Sequence, residues 1–360
     1  MQSRLVFVVF AFISISAFSQ NADTLKHKLL RDKSIVVLPV VFRLPETRWG
    51  AGVGGSASFN FTKDSSWAKP SQVTFGLTFT QNKQILFFVP FKIFSKNNTY
   101  YFNSENGWYR YNYIYSGIGE NKVKDEKFDT DYFRFRFLAA KHINATTYLG
   151  ARINFENYRI TGTQEGGELS SGIINGSDYS RTSGIGLSLI KDTRDAVFYP
   201  TKGIFGEAYV VPSNKIFGAN RNFVKISVDV SKYASLGKKT VWANNVVGIS
   251  NIGDVPFNQL AFLGGQNRLR GIYEGYFRDK NALILQTEFR QEIWKIIGAA
   301  AFGSVAFLGN ETSILRMNLP KYTYGAGLRI ATKNHLNLRL DYALSPYHSG
   351  NFYATIGEAF

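Results

Sequence analysis

Apolar and polar residues alternate with a period of two through most of this chain. Phe133, Phe135 and Phe137 interleave with Arg134 and Arg136. Val224, Ile226, Val228 and Val230 interleave with Lys225, Ser227, Asp229 and Ser231, and Leu336, Leu338, Leu340 and Tyr342 with Asn337, Arg339 and Asp341. Side chains on a strand project to opposite faces in turn, so each stretch carries one continuous apolar face. The pattern predicts strands over 36–43, 49–62, 71–81, 84–95, 98–111, 127–141, 145–160, 179–192, 200–211, 219–236, 238–250, 280–293, 295–308, 321–332, 335–344 and 351–360. That is about sixteen, an even number, as single-chain bacterial barrels have. Pro39 falls in the first of them, where a missing donor does least harm beside a weakly paired seam.

The apolar faces meet either a second sheet, as in a secreted β-sandwich, or lipid. Two features favour lipid and an all-β fold, a transmembrane antiparallel β-barrel. Connections alternate in length: 112–126, 161–178, 251–279 and 309–320 are long, whereas the turns near Ile143, Gly237, Lys295 and Lys333 are tight. With both termini in the periplasm, the long connections face outward. The chain also ends within a predicted strand, on an aromatic residue. Phe352, Ile356, Gly357 and Phe360 then form a terminal strand that pairs with the first and serves as a signal to the insertion machinery.

Composition narrows the setting. Arg4 precedes an apolar run from Leu5 to Phe18, followed by Ser19, which predicts a secretory signal at 1–19; the alternative is a retained anchor. Residues 20–34 are then a short periplasmic segment and 35–360 the barrel. No later run reaches the roughly 18 apolar residues of a membrane helix. The 360 residues contain no Cys, so disulfides play no part. A net charge of +16 raises the question of nucleic acid, but the basic residues recur singly along strands, and an exported chain seldom meets nucleic acid. The charge is assigned to the lumen and to loops facing acidic head groups.

The chemistry concentrates in the Gly-rich segment from Asn251 to Asp279, which holds Leu269-Arg270-Gly271. An arginine on a folded-back loop needs a buried carboxylate, and the next strand turns Gln286, Glu288, Arg290 and Glu292 to one face. The alternative is an ordinary surface arginine. Enzymatic readings find little support. Of His27, His142, His335 and His348, only His348 lies in an outer loop beside serines, Ser345 and Ser349, as an exposed polar residue without a nucleophile motif. No metal-ligand cluster or phosphate loop is present, and no cofactor is expected.

Over Ile35 to Phe360 the chain resembles the BamA/TamA superfamily of outer-membrane assembly and translocation barrels, the bacterial surface antigens. Leu269-Arg270-Gly271 is similar to that family's sixth-loop arginine motif, with Gly264-Gly265-Gln266-Asn267 leading into it. Asp192-Thr193-Arg194-Asp195 with Pro200-Thr201-Lys202-Gly203, Arg339-Leu340-Asp341-Tyr342 and the closing Ile356-Gly357-Glu358-Ala359-Phe360 add to the likeness. The resemblance implies that the loop enters the lumen and that Arg270 pairs with carboxylates on the twelfth and thirteenth strands. Glu288 matches the first position. The second holds Ser304 where the family has aspartate, leaving Arg270 one charged partner and a hydroxyl.

The family's assembly members carry periplasmic docking (POTRA) modules before the barrel, and the residues from Gln20 to Ser34 are too few for one. The resemblance therefore implies a non-enzymatic barrel in outer-membrane lipid, assisting insertion or translocation with a periplasmic or outer-membrane protein partner. The alternative is a passive pore or structural barrel. Gly50, Gly52, Gly54, Gly55 and Gly357 flank the first-to-last seam, where they either loosen the strands or serve close packing and bulges.

Overall fold

A computed structural model describes residues 34–44, 48–61, 69–294, 296–310, 319–331 and 337–360. The expected signal at 1–19 and most of the segment 20–34 lie outside them, as do His27, His335, Lys295, Lys333 and most of the 309–320 connection. Sixteen strand positions follow one another: β1 (Ser34–Leu44), β2 (Arg48–Phe59), β3 (Ser71–Thr80), β4 (Ile85–Phe88, resuming as Phe91–Phe94), β5 (Tyr100–Ile118), β6 (Asn121–Asn144), β7 (Thr147–Thr163) and β8 (Tyr179–Asp192), then β9 (Gly203–Ser213), β10 (Phe223–Ser235), β11 (Thr240–Gly253), β12 (Asn281–Trp294), β13 (Ile297–Gly309), β14 (Lys321–Ala331), β15 (Asn337–Leu344) and β16 (Asn351–Ile356). Every neighbouring pair from β1–β2 to β15–β16 forms an antiparallel ladder. The interruption of β4 falls at Pro90, which has no amide to donate; Asn106 bonds Val89 across the gap.

The faces sort as the alternation predicts. Phe133, Leu187, Val228, Leu285, Phe289 and Leu328 are exposed on the exterior, while Arg270, Glu288, Arg290, Arg339 and Asp341 are buried inside. A greasy outside around a charged inside is the inverse of a water-soluble domain and suits a bilayer. No helix among the described residues is long and apolar enough to cross a membrane.

Three expectations need correction. The segment 112–126 is not a loop: β5 and β6 continue through it, past a bulge between Tyr115 and Gly117, to a tight turn at Gly119-Glu120. Here the polarity of the faces inverts. Glu126, Phe128, Thr130 and Tyr132 are buried inside, and the outward Asp131 pairs with Arg110, so the hairpin stands in water above the apolar belt. The last strand also stops early, at Ile356 rather than Phe360. Gly357 takes φ +91°, a left-handed backbone that side chains oppose, and turns Glu358–Phe360 away from the wall.

The expected pairing of last strand with first is missing as well. Among the described residues β1 pairs with β2 alone, and β16 with β15 alone.

Candidate functional site

The 27 positions between β11 and β12, 254–280, fold back into the barrel. A short antiparallel ladder, Ala261–Leu263 with Phe277–Asp279, stiffens the stem. Leu263, Leu269, Ile272 and Phe277 pack with Val247 and Ile284 of the wall, which draws the tip inward by burying apolar surface. Leu269 adopts φ +48°, a conformation costing about 1–3 kcal/mol for a side chain of this kind, so packing and hydrogen bonds must over-determine it. Its amide donates to Gln286 Oε1 at 3.2 Å.

This turn aims Arg270 at the wall, where it is fully buried. Its two terminal nitrogens lie 2.6 Å from Glu288 on β12 and 2.6 Å from Asp341 on β15. The guanidinium rests 3.5 Å above the centre of the Phe302 ring. The next residue is fixed from both sides: the Gly271 amide donates to the Tyr353 hydroxyl at 2.9 Å, and its carbonyl accepts from Asn351 at 3.0 Å and Ser345 at 3.2 Å. Gly271 has φ +111°, and a Cβ there would press on the Leu344 carbonyl.

Arg270 belongs to a larger cluster. Glu288 also takes Arg290 at 2.8 Å and Arg329 at 3.0 Å. Asp341 takes Arg329 at 2.6 Å and Arg339 at 3.4 Å. The displaced tail completes the set, with Glu358 at 2.9 Å from Arg329 and 2.7 Å from Asn337, and the Phe360 carbonyl accepting from Arg290 at 3.1 Å. A desolvated charge is tolerable only when paired and hydrogen-bonded, and here four guanidiniums share three carboxylates.

The structure thus brings Leu269, Arg270, Gly271 and Glu288 together. It does not bring Ser304 to Arg270. Phe302, opposite Glu288 on β13, fills the place beneath the guanidinium. Ser304 stands two residues further, opposite Gln286, and donates to Gln286 Oε1 at 3.3 Å. Asp341, not position 304, is the second carboxylate. Phe352 faces outward and is exposed, whereas Gly357 and Phe360 line the lumen. The side chain of Ile356 lies outside the description.

The loop is held on the far wall too, which the sequence reading missed. Glu156 of β7 accepts from Asn258 at 2.9 Å and Gln259 at 2.5 Å, while Arg134 bonds it at 2.6 Å. Phe257 sits in an aromatic nest of Tyr115, Phe128 and Tyr158. From above, the β5–β6 hairpin closes down: the Gly119 amide donates to the Arg278 carbonyl at 2.8 Å, and Tyr273 and Ser116 share a hydroxyl contact of 2.6 Å. Beneath the loop remains a cavity of about 720 Å³, floored by Val197, Phe198 and Pro200 of the β8–β9 turn and by the tail from Gly357 to Phe360.

No group of metal-binding side chains occurs among the described residues. His348 is half-buried rather than exposed, edge-on to Tyr276 at 4.2 Å and tilted against Tyr273 at 5.0 Å, and burial lowers its pKa. Ser345 serves the backbone, bonding the Gly271 carbonyl and the His348 amide. The arrangement is an electrostatic lock on a plugged lumen.

The fold is similar to that of BamA from Haemophilus ducreyi lacking POTRA domains 1–3, with a TM-score of 0.57 and 11% identity over 91% of this chain and 69% of that one. CdiB from Escherichia coli matches with a TM-score of 0.58 and 13% identity, covering 89% of this chain and 61% of the other. CdiB from Acinetobacter baumannii gives 0.55 and 9%, covering 91% and 59%. The chain therefore spans about three fifths of the length of either CdiB. None of the curated proteins matches it in sequence. The model of the Omp85 superfamily domain matches residues 49–360, and the chain belongs to that superfamily.

Proposed function

We propose that this protein acts in the bacterial outer membrane as an assembly or translocation barrel, passing polypeptide or lipid with a periplasmic or outer-membrane protein partner. The observation that carries this reading is the seam. β1–β16 is the one junction of neighbouring strands without a ladder among the described residues. Unpaired backbone donors and acceptors are costly in hydrocarbon, so such an edge gains by accepting an extended guest segment. The locked loop meanwhile keeps the lumen shut.

Cysteines at Val37 and Ala354, joined across the seam by a bifunctional thiol reagent, test it. Cross-linked protein in proteoliposomes is expected to stop inserting a reporter barrel, and the unlinked double variant to continue. Full insertion by the cross-linked form excludes a seam mechanism.

A passive pore is the second reading, favoured by the cavity of about 720 Å³ beneath the loop. Conductance in planar bilayers that rises when Arg270 is replaced, with no insertion activity in either form, selects it.

A further inference from the structure

The lipid-facing surface carries a charged feature that the luminal lock does not use. On β6 the outward row runs Phe133, Phe135, Phe137, Ala139 and Lys141, with Ile143 beyond it at the turn. On β8 it runs Ile185, Leu187, Leu189 and ends on Lys191; on β10 it runs Ile226, Val228, Val230 and Lys232, with only Ala234 beyond. All three lysines are exposed. Their ladder neighbours are Tyr100 and Leu149, Thr147 and Gly206, and Ile204 and Asn244, so no carboxylate stands opposite any of them.

Register places them at one height. Lys141 is level with Leu149, while Lys191 is level with Thr147, two residues nearer the turn. Lys191 is level with Gly206 and Lys232 with Ile204, again two residues nearer. The row therefore advances one residue per strand. The strand starts advance in the same sense, since Gly203, heading β9, lies three residues beyond the level of Thr147, heading β7. One residue of rise, about 3.3 Å, against a strand spacing of about 4.8 Å corresponds to a tilt of about 35°. Outer-membrane barrels have that tilt. The step cancels it, leaving three ammonium groups in a ring segment, roughly 12 Å from one to the next.

Two exposed aromatic residues flank the segment, Tyr100 beside Lys141 and Trp242 two residues from the partner of Lys232. Aromatic side chains mark the head-group level of such barrels. Near the seam, among the described residues, the outward rows of β12, β14 and β15 carry Ile293, Ile330 and Leu338, and no lysine, at this end. The cationic arc sits on the wall opposite the seam.

We propose that Lys141, Lys191 and Lys232 bind anionic phospholipid head groups in the leaflet on the side of the chain termini. Their methylene stems lie along the apolar belt and the ammonium groups reach the phosphates. Bound head groups hold the back wall at a set depth.

Native mass spectrometry of the full chain in detergent, titrated with phosphatidylglycerol or phosphatidylcholine, tests this. One lysine at an acidic lipid surface gives about a fivefold preference. The native chain should prefer phosphatidylglycerol, K141Q/K191Q/K232Q should lose that preference by tenfold or more, and K141R/K191R/K232R should keep it. High salt should weaken it in the native chain, a readout independent of any variant. A native chain without the preference, or a triple Gln variant that retains it, overturns the proposal. So does protection of these lysines from acylation by an acidic soluble protein but not by phosphatidylglycerol vesicles, which would assign the arc to a protein partner.

Discussion

Replacing Glu288 by Gln is expected to damage this protein more than replacing Arg270 by Gln, although Arg270 carries the loop. The reason is the charge balance of the buried cluster. Arg270, Arg290, Arg329 and Arg339 face three side-chain carboxylates, Glu288, Asp341 and Glu358, and Arg290 also donates to a Phe360 oxygen. Glu288→Gln leaves four guanidiniums with two carboxylates and weakens three ion pairs at once, those of 2.6, 2.8 and 3.0 Å. Breaking a buried pair from one side costs on the order of 3–5 kcal/mol, because a charge stays behind unpaired. Arg270→Gln leaves three against three, and Arg329 still holds Glu288 at 3.0 Å and Asp341 at 2.6 Å. Its cost is then set by lost hydrogen bonds, about 1–3 kcal/mol.

Urea unfolding in lipid vesicles, followed by tryptophan emission and by heat-modifiable gel migration, measures both variants. The Glu288 variant should be less stable by about 2 kcal/mol relative to the Arg270 variant, the difference between the two costs. The double variant should fall short of their sum, since the groups touch. An Arg270 variant as unstable as the Glu288 variant would falsify the shared-cluster account and leave an isolated pair.

Three further outcomes are expected. Gly271→Ala forces a side chain into φ +111° and against the Leu344 carbonyl, so trypsin should cut near Arg268 and Arg270 in the variant but not in the parent. Glu156→Gln weakens the anchoring of Asn258 and Gln259 on the far wall, and should raise single-channel conductance while costing about 3 kcal/mol; an unchanged conductance means that the arginine anchor alone holds the plug. Burial holds the His348 imidazole below its ordinary 6.5, with Asp125 opposing and Lys122 assisting. A depressed folded-state value gives stability that is present above pH 6.5 and lost as the pH falls through that lower value. Protection of 345–350 from proteolysis should therefore fade as the pH falls below about 6.5, and His348→Phe should abolish the dependence.

The barrel was legible because lipid outside and polar protein inside impose one rule on every strand, and Phe133, Val228 and Leu328 obey it. The rule fails where its solvent changes. Above the apolar belt the exterior of the β5–β6 hairpin meets water, so within 112–126 Asn112 faces out, bonded to Asp129, while Tyr113 and Tyr115 face in, and a search for outward apolar rows reads a loop. Alternation also placed Glu288 and Asp341 on the inner face. It could not say that Arg270 reaches three strands along, to β15, because distance around a barrel leaves no trace in sequence spacing. Gly357 was visible as a flexible position, but only the partners Arg329 and Asn337 show where its turn delivers Glu358.

The lock also distinguishes the two sides of the seam. On β16, Tyr353 and Asn351 hold both faces of the Gly271 peptide, and Glu358 just beyond the strand holds Arg329. Arg329 in turn touches Glu288 and Asp341, the two carboxylates that fix Arg270. Displacing β16 therefore disturbs the loop and leaves Arg329 and Arg290 short of an anion. On β1, Val36, Leu38 and Val40 lie opposite Ser56, Gly54 and Gly52 of β2. Among the described residues, moving that strand strips no buried charge, because these inward neighbours are small and uncharged. Under the proposed function, a guest segment enters most cheaply by peeling β1 outward, while β16 stays fastened to the plugged lumen.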